Sequence, residues 1–288
     1  MSTLVVYSDT SDGHILSQDS VSWQYAYQGP ADYSAVRAGT ALGAYVGDAQ
    51  VIVGQRKSSQ SYQDENEDWW YEESFQAWEA FLAFDTSSVG WGTVSAAVLN
   101  LTSQEDKSVT DFIIEARLRD WGTGLTTADW VAGASLSGLT LLAHRDTASG
   151  WTVNTGYDLT DDAFAANVNK TGTTRLNLSS SLTRTGTEPS EYFYEQVSAY
   201  AADQAGTTKD PKLTITYTEK VEVYDGPGPT LDAVIRKTAS ASFTANAIFA
   251  VLRTGSFTAN AVIKAAVPGS VTGDAIRLRT FHFGQGVW

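Results

Sequence analysis

Ala80-Phe81-Leu82-Ala83-Phe84-Asp85-Thr86-Ser87-Ser88, followed shortly by Val94-Ser95-Ala96-Ala97-Val98-Leu99-Asn100-Leu101, is the stretch that decides the fold class. Two short apolar runs separated by Asp, Thr, Ser and Gly read as two strands and a turn. Similar runs recur to either side: Leu4-Val5-Val6-Tyr7, Val51-Ile52-Val53, Asp111 through Leu118, Tyr192-Phe193-Tyr194 and Thr214 through Thr218. Regular short strands with turn signals between them predict an all-β sandwich. Short helical turns are expected only at Thr126–Val131 and Asp161–Asn169, where Thr or Asp precedes a small amphipathic run and can cap it.

Composition narrows the functional classes. The 288 residues are 42% hydrophobic, 11% aromatic and 18% charged, enough apolar material for a buried core. Without cysteine, no disulfide, thiolate nucleophile or cysteine-bound zinc is available. His14, His144 and His282 are far apart and lack metal-ligand spacing. The formal charge of −14 is uneven: residues 1–218 carry 12 Lys+Arg against 28 Asp+Glu, and residues 219–288 carry 7 against 5. An acidic body repels phosphate backbones, so nucleic acid is not an expected partner. No apolar run is long enough for membrane insertion, and the N-terminus lacks a signal-peptide pattern, so synthesis in a cytoplasm is expected.

The C-terminal quarter is repetitive. Asp232, Asn246, Asn260 and Asp274 stand 14 residues apart, each followed by Ala and a β-branched residue, with Thr230, Thr244, Thr258 and Thr272 in the same register. A fixed period means one small unit used repeatedly, which builds surfaces and assemblies. Asp225-Gly226-Pro227-Gly228-Pro229 cannot continue a strand or helix and reads as a stiff connector. The expected organisation is a sandwich at 1–218, a connector at 219–229 and a β-arm of four 14-residue units at 230–288. An arm this short buries too little surface alone. It is expected to oligomerise, as an intertwined homotrimer, or to dock on a larger particle. The residues expected to assemble it are Phe243, Ile248, Phe257, Val262, Ile263, Val271, Ile276 and the terminal Trp288.

With these residues in view, a resemblance emerges. The 80–101 segment resembles the centre of DNRLRE-type jelly rolls, carbohydrate-binding-module-like sandwiches common in phage virion proteins and secreted bacterial proteins. Asp12-Gly13-His14-Ile15 and Val53-Gly54-Gln55 fit its opening. Ser198-Ala199-Tyr200 through Thr207-Thr208-Lys209-Asp210-Pro211-Lys212-Leu213-Thr214-Ile215-Thr216-Tyr217 is similar to its last strand. The C-terminal units resemble Phe-Thr-Ala-Asp-Ala-Val-Ile repeats of phage structural proteins. The resemblance implies a jelly-roll β-sandwich in a virion or surface setting and names no ligand.

The densest local feature is Asp64-Glu65-Asn66-Glu67-Asp68-Trp69-Trp70-Tyr71-Glu72-Glu73, six carboxylates around three large rings. Exposed rings can stack on sugar faces while carboxylates accept from hydroxyls, so Trp69, Trp70, Tyr71, Asp68 and Glu72 are the expected glycan or partner contacts. The competing reading is a strand whose rings pack inward. Calcium is the only cofactor the composition suggests, because it takes oxygen ligands, and Asp9 and Asp12 in Asp9-Thr10-Ser11-Asp12-Gly13 are its expected ligands. Trp121, Trp130 and Trp151 suit a sandwich core and its rims. No nucleophile elbow, P-loop or dinucleotide fingerprint is present, and no enzymatic activity is expected. The expected function is that of a phage virion structural protein, a tail-fibre or tail-tip component whose partners are itself, other virion proteins and a host-surface glycan. A capsid decoration or head-fibre protein is the alternative, and a secreted glycan-binding module is a further one.

Overall fold

The computed structural model describes residues 1–24, 31–40, 42–190, 194–202 and 206–219. Met1–Glu219 forms one compact unit. The repeat arm at 230–288 and its expected assembly residues, Phe243, Ile248, Phe257, Val262, Ile263, Val271, Ile276 and Trp288, lie outside the described residues.

The described chain is mostly β. Its strands are β1 (Ser2–Tyr7), β2 (Gly13–Gln24), β3 (Gly43–Val46), β4 (Gln50–Gln63), β5 (Trp69–Asp85) and β6 (Thr93–Asp106). Then come β7 (Ile113–Leu118), β8 (Leu141–Asp146), β9 (Gly156–Leu159), β10 (Thr173–Ser180), β11 (Tyr194–Tyr200) and β12 (Lys212–Thr218). All pairings are antiparallel, in the order β1-β12-β6-β11-β4-β5-β10-β7-β8, with β2 joining β5 and β3, and β9 joining β6. Leu213 and Ile215 of β12 share one core with Val51 and Val53 of β4, Leu82 and Phe84 of β5, Ile114 of β7 and Leu176 of β10. The sheet therefore curls so that strands from its two ends face one another across this core.

Strand β5 explains why residues 80–84 do not alternate in polarity. Ala80, Leu82 and Phe84 enter the main core, whereas Phe75, Ala77, Phe81 and Ala83 enter a second core on the opposite face. A strand buried on both faces reads as a continuous apolar run. The second core is closed by Tyr33 and Val36 from helix α1 (Tyr33–Ala38) and by Trp121, Leu125 and Trp130 from the β7–β8 connection. Burying a large apolar side chain such as Phe81 contributes about 2–3 kcal/mol. Trp151 belongs to the main core, and its indole Nε1 donates to the Ser198 carbonyl at 3.1 Å.

The two expected helical turns are present. A 3-10 turn spans Thr127–Asp129, with the Asp129 carboxylate accepting from the Thr126 N–H at 2.9 Å and its hydroxyl at 3.0 Å. Helix α2 spans Asp162–Asn167, and Asp161 caps it through the Ala163 N–H at 3.0 Å. Two further α-helices, and 3-10 turns at Ser87–Val89, Gly133–Gly138 and Thr147–Ser149, were not expected. Asp32 caps α1 through the Ser34 N–H, and Ser180 caps α3 (Ser181–Thr185) through the Leu182 N–H. Each ends at a glycine in the left-handed region, Gly39 and Gly186.

Candidate functional site

The acidic, aromatic segment is a strand pair rather than a loop. Strands β4 and β5 form a long hairpin whose turn is Asp64–Asp68, and β2 pairs with the far side of β5 out to its tip. The turn is closed by the Asp64 N–H donating to the Asp68 carbonyl at 2.9 Å, with Glu67 at φ 64°. Desolvation is the largest single effect on the Asp64 carboxylate and raises its pKa, but the N–H groups of Asp68 and Asn66 and the Trp70 indole Nε1 at 3.3 Å together outweigh it and hold the group below the ordinary Asp range. Gln60 through Gln63 are exposed at successive positions, so this end of the hairpin is solvated on both faces. It projects as a three-stranded tongue.

Alternation along β5 splits the expected ring cluster. Successive side chains of a strand point to opposite faces. Trp69 and Tyr71 therefore share one face, where Trp23 of β2 stands directly opposite Tyr71 and stacks on it with ring centroids 6.1 Å apart. Trp70 takes the other face beside Tyr62. Trp69 and Tyr71 remain 47% and 43% exposed. A single flat ligand can lie on Trp69 and Tyr71 together, but not on Trp70 at the same time. The expected trio becomes a platform of Trp69, Tyr71 and Trp23. Of the expected acids, Glu72 lies on the Trp70 face and accepts from Gln60 Nε2 at 2.6 Å, while the Asp68 N–H and carbonyl both serve the turn.

Beneath α1 lies a buried polar layer that the sequence did not disclose. Gln55 Nε2 donates to the Glu195 carboxylate at 2.6 Å, and the Tyr33 hydroxyl bonds to Gln55 Oε1. The Glu115 carboxylate takes both Arg184 Nε at 2.8 Å and Arg117 at 2.9 Å. Burial raises the Glu115 pKa, but the hydrogen bonds and charges of the two arginines outweigh it and hold the group below the ordinary range. Glu79 is different. Fully buried on β5, it accepts from the Val131 N–H at 3.2 Å and Asn177 Nδ2 at 2.9 Å, while its Oε1 has no partner. Burial pushes its pKa up to about 8, against smaller opposing effects from Val131, Asn177 and the charge of Arg119. Glu79 is therefore a neutral acid at pH 7.

No protein-family model and no curated protein matches this chain. The assignment of its surfaces rests on geometry alone.

Asp9 and Asp12 are put to separate uses. Asp9 is exposed and folds its carboxylate onto the Ser11 N–H at 2.8 Å. Asp12 is fully buried and takes the Ser8 hydroxyl at 2.8 Å and the Ala202 N–H at 3.2 Å. Among the described residues no three His, Asp or Glu side chains converge in a way that could hold a metal ion. No described helix is long and apolar enough to cross a membrane. An open cleft of about 420 Å³ beside α1 is lined by Asp32, Tyr33, Ser34, Arg37 and Glu188, but Arg37 is committed there to the Thr183 and Arg184 carbonyls.

Proposed function

We propose that this chain is a non-enzymatic phage virion structural protein in which a jelly-roll head presents a contact surface and the C-terminal repeats supply assembly. The observation that carries the reading is the platform of Trp69, Tyr71 and Trp23 on a tongue standing clear of both cores. Trp69 and Tyr71 keep nearly half of their surface in solvent on a projecting sheet, and exposed apolar surface of this kind marks a contact site. Flat rings suit the apolar faces of sugars, and the nearby carboxylates accept from hydroxyls. The antiparallel β architecture around one main core and the ordered set of strand motifs support the jelly roll. A host-surface glycan is the proposed ligand, and a tail-fibre or tail-tip position is favoured over capsid decoration because decoration needs no such platform.

Trp69→Ala combined with Tyr71→Ala is expected to lower phage adsorption at least tenfold, because stacking losses of about 1 kcal/mol or more per ring add over many copies. Trp70→Ala, on the other face, is expected to change adsorption less than threefold. Adsorption assays with phage carrying each variant check both, and equal effects from the two faces would remove the platform assignment.

A further inference from the structure

Two guanidinium groups meet in a concavity of the acidic body. A cleft of about 520 Å³ opens at one end of β7 and β10, lined by Arg119, Arg175, Asp120, Asn167, Asn169 and Thr173 among others. The Arg119 N–H donates to the Arg175 carbonyl at 3.2 Å, so the two arginines stand on neighbouring strand positions. Arg175 lies over the Trp121 ring at 5.6 Å and reaches Asp120 with its Nη1 at 3.3 Å. Arg119 has no such partner. Every other arginine among the described residues makes a side-chain hydrogen bond, to a carbonyl, a carboxylate or a tyrosine. Arg119 makes none, and its Nε is buried without an acceptor, as are those of Arg56, Arg117, Arg145 and Arg175, so Arg119 is distinguished by a guanidinium with no hydrogen bond at all. Buried donors without acceptors are rare and call for an explanation. Arg119 lies near enough to Glu79 for its charge to act on that carboxyl, but the two make no ion pair.

The remaining lining is neutral and polar. Asn167 and Asn169 are held in place by their own amides, which donate to the Ala163 carbonyl at 2.8 Å and the Thr173 carbonyl at 3.2 Å. Their orientation is thereby set before any ligand arrives. Among the described residues the Thr173 hydroxyl makes no hydrogen bond. A guanidinium fork with free donors, a second guanidinium beside it, and fixed amides with an unengaged hydroxyl around them match an oxyanion carried on a hydroxyl-rich chain.

We propose that this cleft binds an acidic saccharide, with Arg119 taking its carboxylate in a bidentate pair and Arg175 adding a second, partly neutralised charge. None of its residues belongs to the tongue, so the site stands whether or not Trp69 and Tyr71 contact a glycan. Long-range repulsion from the acidic body disfavours anions in general, which makes short-range pairing inside the cleft the source of any affinity.

Calorimetric titration of the full chain with trigalacturonate, glycerol phosphate and maltotriose tests the proposal. Trigalacturonate is expected to bind, and maltotriose is expected not to bind at this cleft. Arg119→Gln is expected to weaken trigalacturonate binding by about tenfold or more, the usual consequence of losing a charge-assisted hydrogen bond. Asp120→Asn frees Arg175 and is expected to tighten it by about two- to fivefold, an increase that a misfolded variant would not show. Glycerol phosphate binding with the same Arg119 dependence, and tighter than trigalacturonate, would assign the oxyanion to a phosphate ester. Absence of binding by both anions, or binding unchanged by Arg119→Gln, overturns the proposal.

Discussion

Glu79→Gln is expected to abolish most of the loss of stability that the native head suffers as pH rises from about 4.5 to about 8. The folded state holds a proton on Glu79 up to about pH 8, whereas an unfolded chain releases it near the ordinary glutamate value of 4.5. Between those values the native state binds more protons than the unfolded state, so stability falls as pH increases. The contribution is fully present below pH 4.5 and gone above about pH 8. The difference corresponds to an upper limit of about 5 kcal/mol. Glutamine keeps an acceptor for the Val131 N–H and Asn177 Nδ2 and carries no charge at any pH. The variant should therefore match the native protein near pH 4.5 and exceed it at pH 9, with a Tm advantage there of about 10 °C for a domain of this size. Glu115 acts in the opposite direction: its lowered pKa means that its pairing with Arg184 and Arg117 is lost only as pH falls toward the acid range. Thermal melts of both proteins from pH 4.5 to 9 provide the check. Parallel curves across that range would show that Glu79 is not the buried neutral acid described.

The second large effect is expected at Gly54. This residue lies on β4, paired with Gln196 of β11 and Trp78 of β5, at φ 133°. A Cβ there would meet the Glu195 carbonyl oxygen and stand 2.6 Å from Gln196 Cα, both backbone atoms of the neighbouring strand. Backbone cannot rotate away as a side-chain tip can, so β11 would have to separate from β4. That separation would also break the Gln55–Glu195 hydrogen bond beneath it. Gly54→Ala is expected to cost more than about 3 kcal/mol, combining backbone strain with a steric clash. Gly47 offers the control: its φ is 80°, but nothing lies within 4 Å of an added Cβ. Gly47→Ala should cost about 1 kcal/mol from strain alone. Urea midpoints for the two variants distinguish them, and similar midpoints would contradict the close approach of β11 at Gly54.

The two cores account for what was legible in the sequence. Apolar runs at residues 4–7, 51–53, 80–84, 97–101 and 214–218 all lie on observed strands, because hydrophobic pattern reports burial directly. Strand β2 and the outer halves of β4 and β5 were missed. Ser17-Gln18-Asp19-Ser20 and Ser58-Ser59-Gln60-Ser61 carry no apolar period, since much of the tongue meets solvent. The rings at 69–71 were expected either as exposed contacts or as a strand packing inward; they lie on a strand, and alternation divides Trp70 from Trp69 and Tyr71. The caps at Thr126 and Asp161 were legible because a polar cap beside a short amphipathic run is a local signal. Asp32 with Gly39, and Ser180 with Gly186, carry the same signal around α1 and α3. Glu79, Gln55, Asn177 and Glu195 could not be recognised as buried, because one polar residue in a strand ordinarily indicates a solvated face. Only the tertiary placement of α1 and the β7–β8 connection over that face reverses the expectation. Arg119 was illegible on similar grounds: its lack of a partner depends on what surrounds it in space.

The reading of a displayed head carried by assembling repeats is tested most directly by solution mass. Light scattering should be measured on the full chain and on a chain ending at Glu219, at matched concentration. A full-length trimer beside a monomeric shortened chain is the expected result, and it would make the 14-residue repeats the assembly device. Equal subunit numbers for the two chains would contradict it.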